Sequence, residues 1–422
     1  MGLRRALWIC DYFPRPHEMT TGTWALESAV ALQAAGLPVV VMAPTPWIPR
    51  AVAPASLREW SQVPSQWQIR GVPVYYPRCP HYPRRWVHET LYNRLPFLDG
   101  ALLWPWFGKV GARVMQVHPF DVVHANFLFP SGSLGMRLKR HYGTPLVVHE
   151  RSVQRLEMAR NHHRRRKAYR RILRAADVVI TENETMAASL REMEPAIRHL
   201  EVFKQPGMNP AETAGLERQR PPAFVGKKII LSVGALSRRK GHEVLVRAVA
   251  ELKPEFPDLA CRIIGEGPER SRLEELVDRL GLSGIVELVG RRPHAEVLGE
   301  MSWCDIFALP SWGEAGGTVY GEAMQFGKPI IACAGEGITE IVQDGVQGIL
   351  VPARDSSKLA GALRGLLADP ARRERMGARA RELAAVELSY PKLAERLIEL
   401  YGRLVQTRSR PQRIGDGRLG AE

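Results

Sequence analysis

Cysteine is scarce in this chain of 422 residues: Cys10, Cys79, Cys261, Cys304 and Cys333 are its only five. They are scattered, and no pair has the short spacing of a metal site, so reduced and mostly buried thiols of a cytoplasmic protein are expected. No uninterrupted apolar run approaches the roughly 18–20 residues of a membrane-crossing helix. The first apolar stretch, 6–10, meets Asp11 at once. That is too short for a signal peptide, and none is expected. There is no Asp-x-Asp stretch to hold a metal, so neither metal nor cofactor is expected. Helix-turn-helix, zinc-finger and aromatic RNA-binding patterns are also missing. Acid is in deficit, with 44 Asp and Glu against 59 Lys and Arg, a net charge of +15. Such an excess points to an acidic partner: nucleotide phosphates, an anionic membrane surface or nucleic acid.

What is present supports real cores. Hydrophobic residues make up 45% of the chain, which argues against disorder. The length suits two or three domains. The most informative stretch is 310–327, Pro-Ser-Trp-Gly-Glu-Ala-Gly-Gly-Thr-Val-Tyr-Gly-Glu-Ala-Met-Gln-Phe-Gly. A short apolar strand, 306–309, feeds a glycine-rich turn that opens a helix. Glycines let a backbone approach a ligand closely. The N–H groups at a helix start favour an anion, here around Gly317, Thr318 and Val319. Glu314 and Glu322 flank this turn with seven residues between them, and carboxylates accept hydrogen bonds from sugar hydroxyls. Together these features suit a nucleoside diphosphate carrying a sugar; an ordinary strand–turn–helix connection with two solvated acids is the alternative.

The first half opens as βαβ: a strand at 6–10, a Pro- and Thr-rich loop, a helix from Trp24 to about Ala35, and a strand at 39–42. In a parallel sheet the loop after the first strand faces the ligand crevice. Gly22 therefore stands at a candidate site, or is a plain loop glycine. Residues 44–119 are the least readable. They interleave Trp86, Tyr92, Phe97, Trp104, Trp106 and Phe107 with Arg84, Arg85, Arg94 and Lys109. That pattern fits either a domain-core helix or an element lying in a membrane interface. His124 lies in the polar end of the strand 121–126, where a lone histidine is commonly structural. The next strand, 145–148, runs into His149-Glu150-Arg151-Ser152, and the one at 177–181 into a short helix expected from Glu182. From Arg160 to Arg174 there are eight Arg or Lys and no acid. Arg166, Arg170 and Arg174 would share a helix face, against anionic lipid head groups, solvent or nucleic acid.

Residues 205–227 read as a linker. The second half begins with a strand ending at Gly234, then a loop reaching Lys240 and Gly241 before the next helix. A glycine after a strand and a lysine at a helix entrance suit a diphosphate. The strand 261–264 ends at Gly265-Glu266-Gly267-Pro268, and Gly290-Arg291 follows another. A helix over 390–404 comes last, before a basic, glycine-rich tail.

The motifs resemble those of the retaining family-4 glycosyltransferases of the GT-B fold. The carriers are Pro310-Ser311, Glu314 and Glu322, Ala323-Met324, Gly327-Lys328-Pro329, Lys240-Gly241 and Gly265-x-Gly267-Pro268, with further partial matches over most of the chain. The Pro-rich loop with Gly22-Thr23 most resembles polysaccharide and teichuronic-type members. Departures exist. Ala315-Gly316-Gly317 stands for Gly-Phe-Gly, Asn126 for a second His, and Arg151 for the His of Thr-Glu-His-Ser. Ala235 stands where the family has an Arg, a charge that Arg238 or Arg239 would replace. The resemblance implies an α/β protein of two Rossmann-like domains facing across a cleft. An acceptor domain would cover 1–205 and a nucleotide-sugar domain 206–388. A terminal helix, 389–405, would return to the first domain, and 406–422 would be a disordered tail. It implies metal-independent transfer, with retention, from a nucleoside diphosphate sugar to a saccharide or lipid-linked acceptor, in glycan synthesis on the inner face of the membrane. Lys240 and the N–H groups near Gly317 would hold the diphosphate, Glu322 the ribose, Glu314 the donor sugar and Arg291 the base side. His124, His149 and Glu150 would lie toward the acceptor. Two alternatives stand beside this: a catalytically degenerate subunit of the same fold, and a basic nucleic-acid-binding protein.

Overall fold

The computed structural model describes residues 2–19, 21–48, 58–79, 98–208, 213, 215–314 and 316–409. The expected aromatic and basic cluster Arg84, Arg85, Trp86, Tyr92, Arg94 and Phe97, and the tail 410–422, lie outside them.

The first half builds an eight-stranded sheet. Its strands are β1 (Ala6–Cys10), β2 (Val39–Met42), β4 (Gln66–Ile69), β5 (Val72–Tyr75), β7 (Val122–Asn126), β8 (Leu146–His149), β9 (Val178–Thr181) and β10 (Leu200–Val202), in the order β10-β9-β8-β7-β1-β2-β5-β4. All neighbours pair parallel except β4 and β5, which form an antiparallel hairpin. Arg70 and Gly71 turn it with φ of 48° and 83°, the doubly left-handed turn that matches strand twist. Two-residue strands β3 (Thr45–Pro46) and β6 (Arg78–Cys79) pair separately.

The middle of the sheet is covered on both faces, so β1, β2, β8 and β9 read as near-continuous apolar runs, while the edge strand β4 alternates with exposed glutamines. Leu7 and Ile9 pack in one core with Phe107, Leu134 and Tyr169. Ala6, Trp8 and Cys10 alternate into the other, beside Leu393, Leu397 and Tyr401 of the last helix, Tyr390–Ser409. That last helix thus closes on the first sheet after the second half is complete. Within the unreadable 44–119, a helix runs Leu98–Val117. Its Phe107 is in the core, Trp104 packs against it, and Trp106 is exposed.

The second half is a six-stranded parallel sheet: β11 (Lys228–Val233), β12 (Leu259–Ile264), β13 (Val286–Gly290), β14 (Ile306–Ala308), β15 (Ile330–Cys333) and β16 (Gly348–Val351). Their order is β13-β12-β11-β14-β15-β16. The order reverses between β11 and β14, where an open parallel sheet places its ligand crevice. The halves touch directly. Glu340 accepts from the backbone N–H of Glu184 at 2.6 Å and of Thr185 at 3.2 Å, so its carboxylate caps the start of the helix Glu184–Met193. Among the described residues no helix is long and apolar enough to cross a membrane.

Candidate functional site

A cavity of about 590 Å³ opens between the halves. Loops at the carboxyl ends of the strands build it. From the second half come Arg239, Gly313, Glu314, Gly317 and Thr318; from the first come Tyr12, Trp24, Arg151, Arg155 and Glu182, with Gln205 of the crossover.

The second-half wall follows from local chain geometry. After β11 the chain passes Gly234 and makes a short 3-10 turn, Arg238–Lys240. The Lys240 stem runs alongside Gly234, where a Cβ would lie 3.4 Å from its Cδ, an ordinary van der Waals contact. Lys240 Nζ then reaches Glu314 Oε1 at 2.9 Å, and Arg239 lies 3.5 Å from the same oxygen. Arg239 also donates to the Gly313 carbonyl at 2.6 Å. Gly241 closes the turn at φ +70°, and a Cβ there would fall 2.1 Å from the Pro310 carbonyl oxygen. Beyond Glu314 the helix Thr318–Gln325 begins at Gly317, itself at φ +71°. Its first N–H groups have no intrahelical partner and present a positive end beside two cations. Thus Arg239, Glu314, Gly317 and Thr318 share the cavity wall, while Lys240 joins them through Glu314 from off the wall and Val319 follows Thr318 in the helix.

Glu322 lies farther along this helix and is mostly buried. His294 donates Nε2–H to its Oε1 at 2.9 Å. Arg291 stands exposed in the same loop, between β13 and the helix His294–Trp303, off the cavity wall. Gly22 sits at φ +73° at the start of the helix Thr23–Ala34. A Cβ there would strike the Tyr12 carbonyl at 2.4 Å, so Gly22 sets the loop that carries Tyr12 and Trp24.

His124, His149 and Glu150 lie behind the wall rather than on it, each almost wholly buried. His124 bonds the Tyr401 hydroxyl through Nδ1 at 2.6 Å and stacks on Trp8. Burial holds both histidines well below their usual pKa. Arg151 Nη2 lies 3.1 Å from His149 Nδ1; a guanidinium only donates, so that proton sits on Nε2. Glu150 accepts from the backbone N–H of Leu128, Arg151 and Ser152 at 2.9–3.1 Å, bracing the loops that form the wall.

The first-half wall carries Arg151, noted in the sequence as a departure from a family histidine, and Arg155 and Glu182, to which no role was assigned from the sequence. Arg151 pairs with Glu182 at 2.9 Å, bonds Gln205, and lies 4.3 Å over the Trp24 ring. Arg155 lies 4.3 Å over the Phe127 ring and reaches Asp11 at 3.4 Å. Glu182 was expected to start a helix. Instead the Asn183 side chain accepts from Met186 N–H at 2.7 Å, capping the helix at Glu184 and leaving Glu182 in the turn. Asp11 and Glu182 follow β1 and β9, so the strand-end rule that pointed to 149–152 was also the signal that could have found them.

Burial pushes the Glu182 carboxyl up to about 7, against the pull of Arg151, with Glu314 across the cavity adding to the rise. Burial likewise lowers Arg151, with Glu182 opposing that shift, and the guanidinium stays charged. Below about pH 7 Glu182 is neutral; above it the cavity gains a negative charge. Affinity for an anionic ligand such as UDP is expected to fall as pH rises through that point, and Glu182→Gln to flatten the dependence. Stability has the same sign. The folded chain keeps a proton that the unfolded chain loses near 4.5, so this group's contribution declines between about 4.5 and 7. Calorimetric titration of UDP between pH 6 and 8 checks the first expectation.

Among the described residues no cluster of three or more His, Cys, Asp or Glu is arranged to hold a metal ion.

Comparison with known proteins gives a consistent pattern. Residues 215–383 match the family described as glycosyl transferases group 1, and residues 20–204 match a glycosyl transferase 4-like domain. The chain is 31% identical over 305 residues to the D-inositol 3-phosphate glycosyltransferase of Corynebacterium urealyticum, covering 67% of this chain and 71% of that one. It is 34% identical over 175 residues to the alpha-D-kanosaminyltransferase of Streptomyces kanamyceticus, covering 42% and 45%. Among solved structures, sucrose-phosphate synthase from Thermosynechococcus elongatus aligns with a TM-score of 0.74 at 24% identity, over 96% of this chain and 100% of that one. An Anabaena protein in complex with UDP and glucose aligns with a TM-score of 0.66 at 19% identity, over 94% and 99%.

Proposed function

The chain belongs to the glycosyl transferases of group 1, and on that premise we propose that it moves a hexose from a nucleoside diphosphate sugar to a saccharide or lipid-linked acceptor with retention of configuration. It is a glycosyltransferase of the GT-B fold. The observation that carries the finer reading is Lys240 Nζ at 2.9 Å from Glu314, beside the open N-terminus of the helix Thr318–Gln325.

As the bond from the anomeric carbon to the diphosphate breaks, negative charge develops on the leaving oxygen. Lys240, Arg239 and the N–H groups of Gly317, Thr318 and Val319 stabilise it electrostatically. Arg239 serves here in place of the arginine lost at Ala235. In this reading no metal and no cofactor is required, because the cations of the chain neutralise the diphosphate. Glu314 gives up its lysine partner to the diphosphate and accepts from donor-sugar hydroxyls. Glu322, held by His294, takes the ribose, with Arg291 toward the base. Arg151, Glu182, Gln205 and the faces of Tyr12 and Trp24 form the acceptor side, while His124, His149 and Glu150 support it from behind.

We place the enzyme in cell-surface glycan synthesis, in the cytoplasm and at the inner face of an anionic membrane rather than on nucleic acid. Basic residues of the helix His163–Ala175 support this. The expected face of Arg166, Arg170 and Arg174 is partly used internally, since Arg170 and Arg174 pair with Glu194 at 3.0 and 2.7 Å. Arg166, Lys167 and Arg171 remain exposed.

The test is turnover with UDP-, GDP- and ADP-sugars, the released or transferred sugar being followed by proton NMR. One donor class is expected to turn over, its first-formed product having the donor's anomeric configuration. Glu322→Ala should raise KM for that donor at least about tenfold, the scale of losing hydrogen bonds to a charged group. An inverted product would overturn retention, and no turnover of any donor would favour a degenerate subunit.

A further inference from the structure

The second half carries another cavity, of about 470 Å³, that shares a single wall residue, Arg239, with the cleft. The helices His242–Leu252 and Arg270–Arg279 form one side, and Trp312 and Arg354 the other. Its volume is that of a small-molecule site. Its charge is lopsided: five arginines line it against Glu243 and Glu269.

Those two carboxylates are already shared. Glu243 takes Arg247 and Arg272, each at 2.9 Å. Glu269 takes Arg272 at 3.2 Å and Arg238 at 3.8 Å. Arg239 is turned to Gly313 and Glu314. Arg354 has no carboxylate partner among the described residues and lies 4.9 Å over the Trp312 ring. It sits at φ +63°, a left-handed backbone that costs a non-glycine residue free energy and often accompanies function.

We propose that this cavity binds a small phosphate ester, a sugar phosphate or a nucleotide, and that its occupancy is felt in the cleft. Arg354 and Arg247 take the phosphate, and the Trp312 face that Arg354 uncovers takes the sugar or base. The link is short. Trp312 N–H donates to the Arg239 carbonyl at 2.9 Å, and the Arg239 guanidinium holds the Gly313 carbonyl beside Glu314 at 2.6 Å. A ligand that shifts Trp312 or draws on Arg239 changes how Glu314 is held. The coupling rests on reading the cleft as the nucleotide-sugar site; the binding does not.

The experiment is calorimetric titration of the full chain with glucose 6-phosphate and with AMP, using glucose and adenosine as controls. It is run on the parent, on Arg354→Gly with Arg247→Ala, and on Lys240→Ala. Arg354 and Arg247 are exposed, and glycine suits the backbone at 354, so the double variant retains its fold. One of the two esters, and neither control, is expected to bind the parent and Lys240→Ala alike. Affinity should fall about tenfold or more in the double variant, which removes two charge-assisted contacts. In the parent but not the double variant, the bound ester should shift the donor KM at least about twofold, a modest allosteric coupling. Binding that survives the double substitution, binding lost in Lys240→Ala alone, or no binding of either ester overturns the site. Binding with an unchanged donor KM overturns the coupling.

Discussion

Lys240→Ala is expected to lower kcat/KM for the donor sugar by about 10²–10³-fold, the scale of removing one preorganised charge from a leaving group. The lysine is the cation that contacts Glu314 most closely, at 2.9 Å against 3.5 Å for Arg239. Its loss leaves Arg239 alone to serve both the carboxylate and the diphosphate. Lys240→Arg should not rescue fully. The arginine side chain is longer in reach, and a planar fork replaces the compact charge that sits 2.9 Å from Glu314. Steady-state kinetics with the preferred donor measures both variants. Parent-like kcat/KM in Lys240→Ala would remove the lysine from the mechanism.

Gly207→Ala is expected to destabilise the chain by about 2–4 kcal/mol, because an added methyl group has nowhere to go. The new Cβ would lie 2.3 Å from the Gly321 carbonyl carbon and 2.5 Å from the Glu322 nitrogen. Here the crossover between the halves rests directly on the helix that carries Glu322. Gly207 N–H also donates to the Leu388 carbonyl at 3.0 Å, tying the crossover to the start of the terminal segment. Lifting Gly207 off the helix shifts Glu322 and the angle between the halves together, so donor affinity should fall along with stability. Gly361→Ala is the control. It lies in the helix Ser356–Ala368 with no atom within 4 Å of the new Cβ, and should be neutral or stabilising by about 0.5–1 kcal/mol. Urea unfolding followed by circular dichroism separates the two. Equal midpoints for Gly207→Ala and the parent would show that the crossover is not clamped as described.

The parts of the site that could be read from sequence are those whose chemistry is local. Lys240-Gly241 and the Glu314–Glu322 stretch each fold as one strand–turn–helix unit, and a left-handed glycine or a helix start needs only neighbouring residues. Most strands of the two sheets were legible for the same reason: short, largely apolar runs, as in β8 and β12, separated by glycine- and proline-rich turns, whereas the β4–β5 hairpin was not. The first-half wall was less legible, because it is made by meetings across the sheet. Arg155 finds Asp11 from 144 positions away, and His124 finds Tyr401 from 277. Glu182 was misplaced by one capping decision at Asn183. Arg239 and Arg238 were indistinguishable as replacements for Ala235; only the turn geometry aims Arg239 at Glu314 and leaves Arg238 toward Glu269. In residues 44–119, helix and hairpin signals were obscured by proline and aromatic residues, and Pro105 lies inside the helix itself.

Equilibrium binding of nucleotide and donor by calorimetry tests the central claim most directly. UDP, GDP and ADP, then the sugars of the best of them, are titrated into the parent, Lys240→Ala and Glu322→Ala. Saturable binding of one nucleotide class, weakened in both variants, is the result predicted by a diphosphate at Lys240 and a ribose at Glu322. Binding of none, or equal binding by all three proteins, would contradict it.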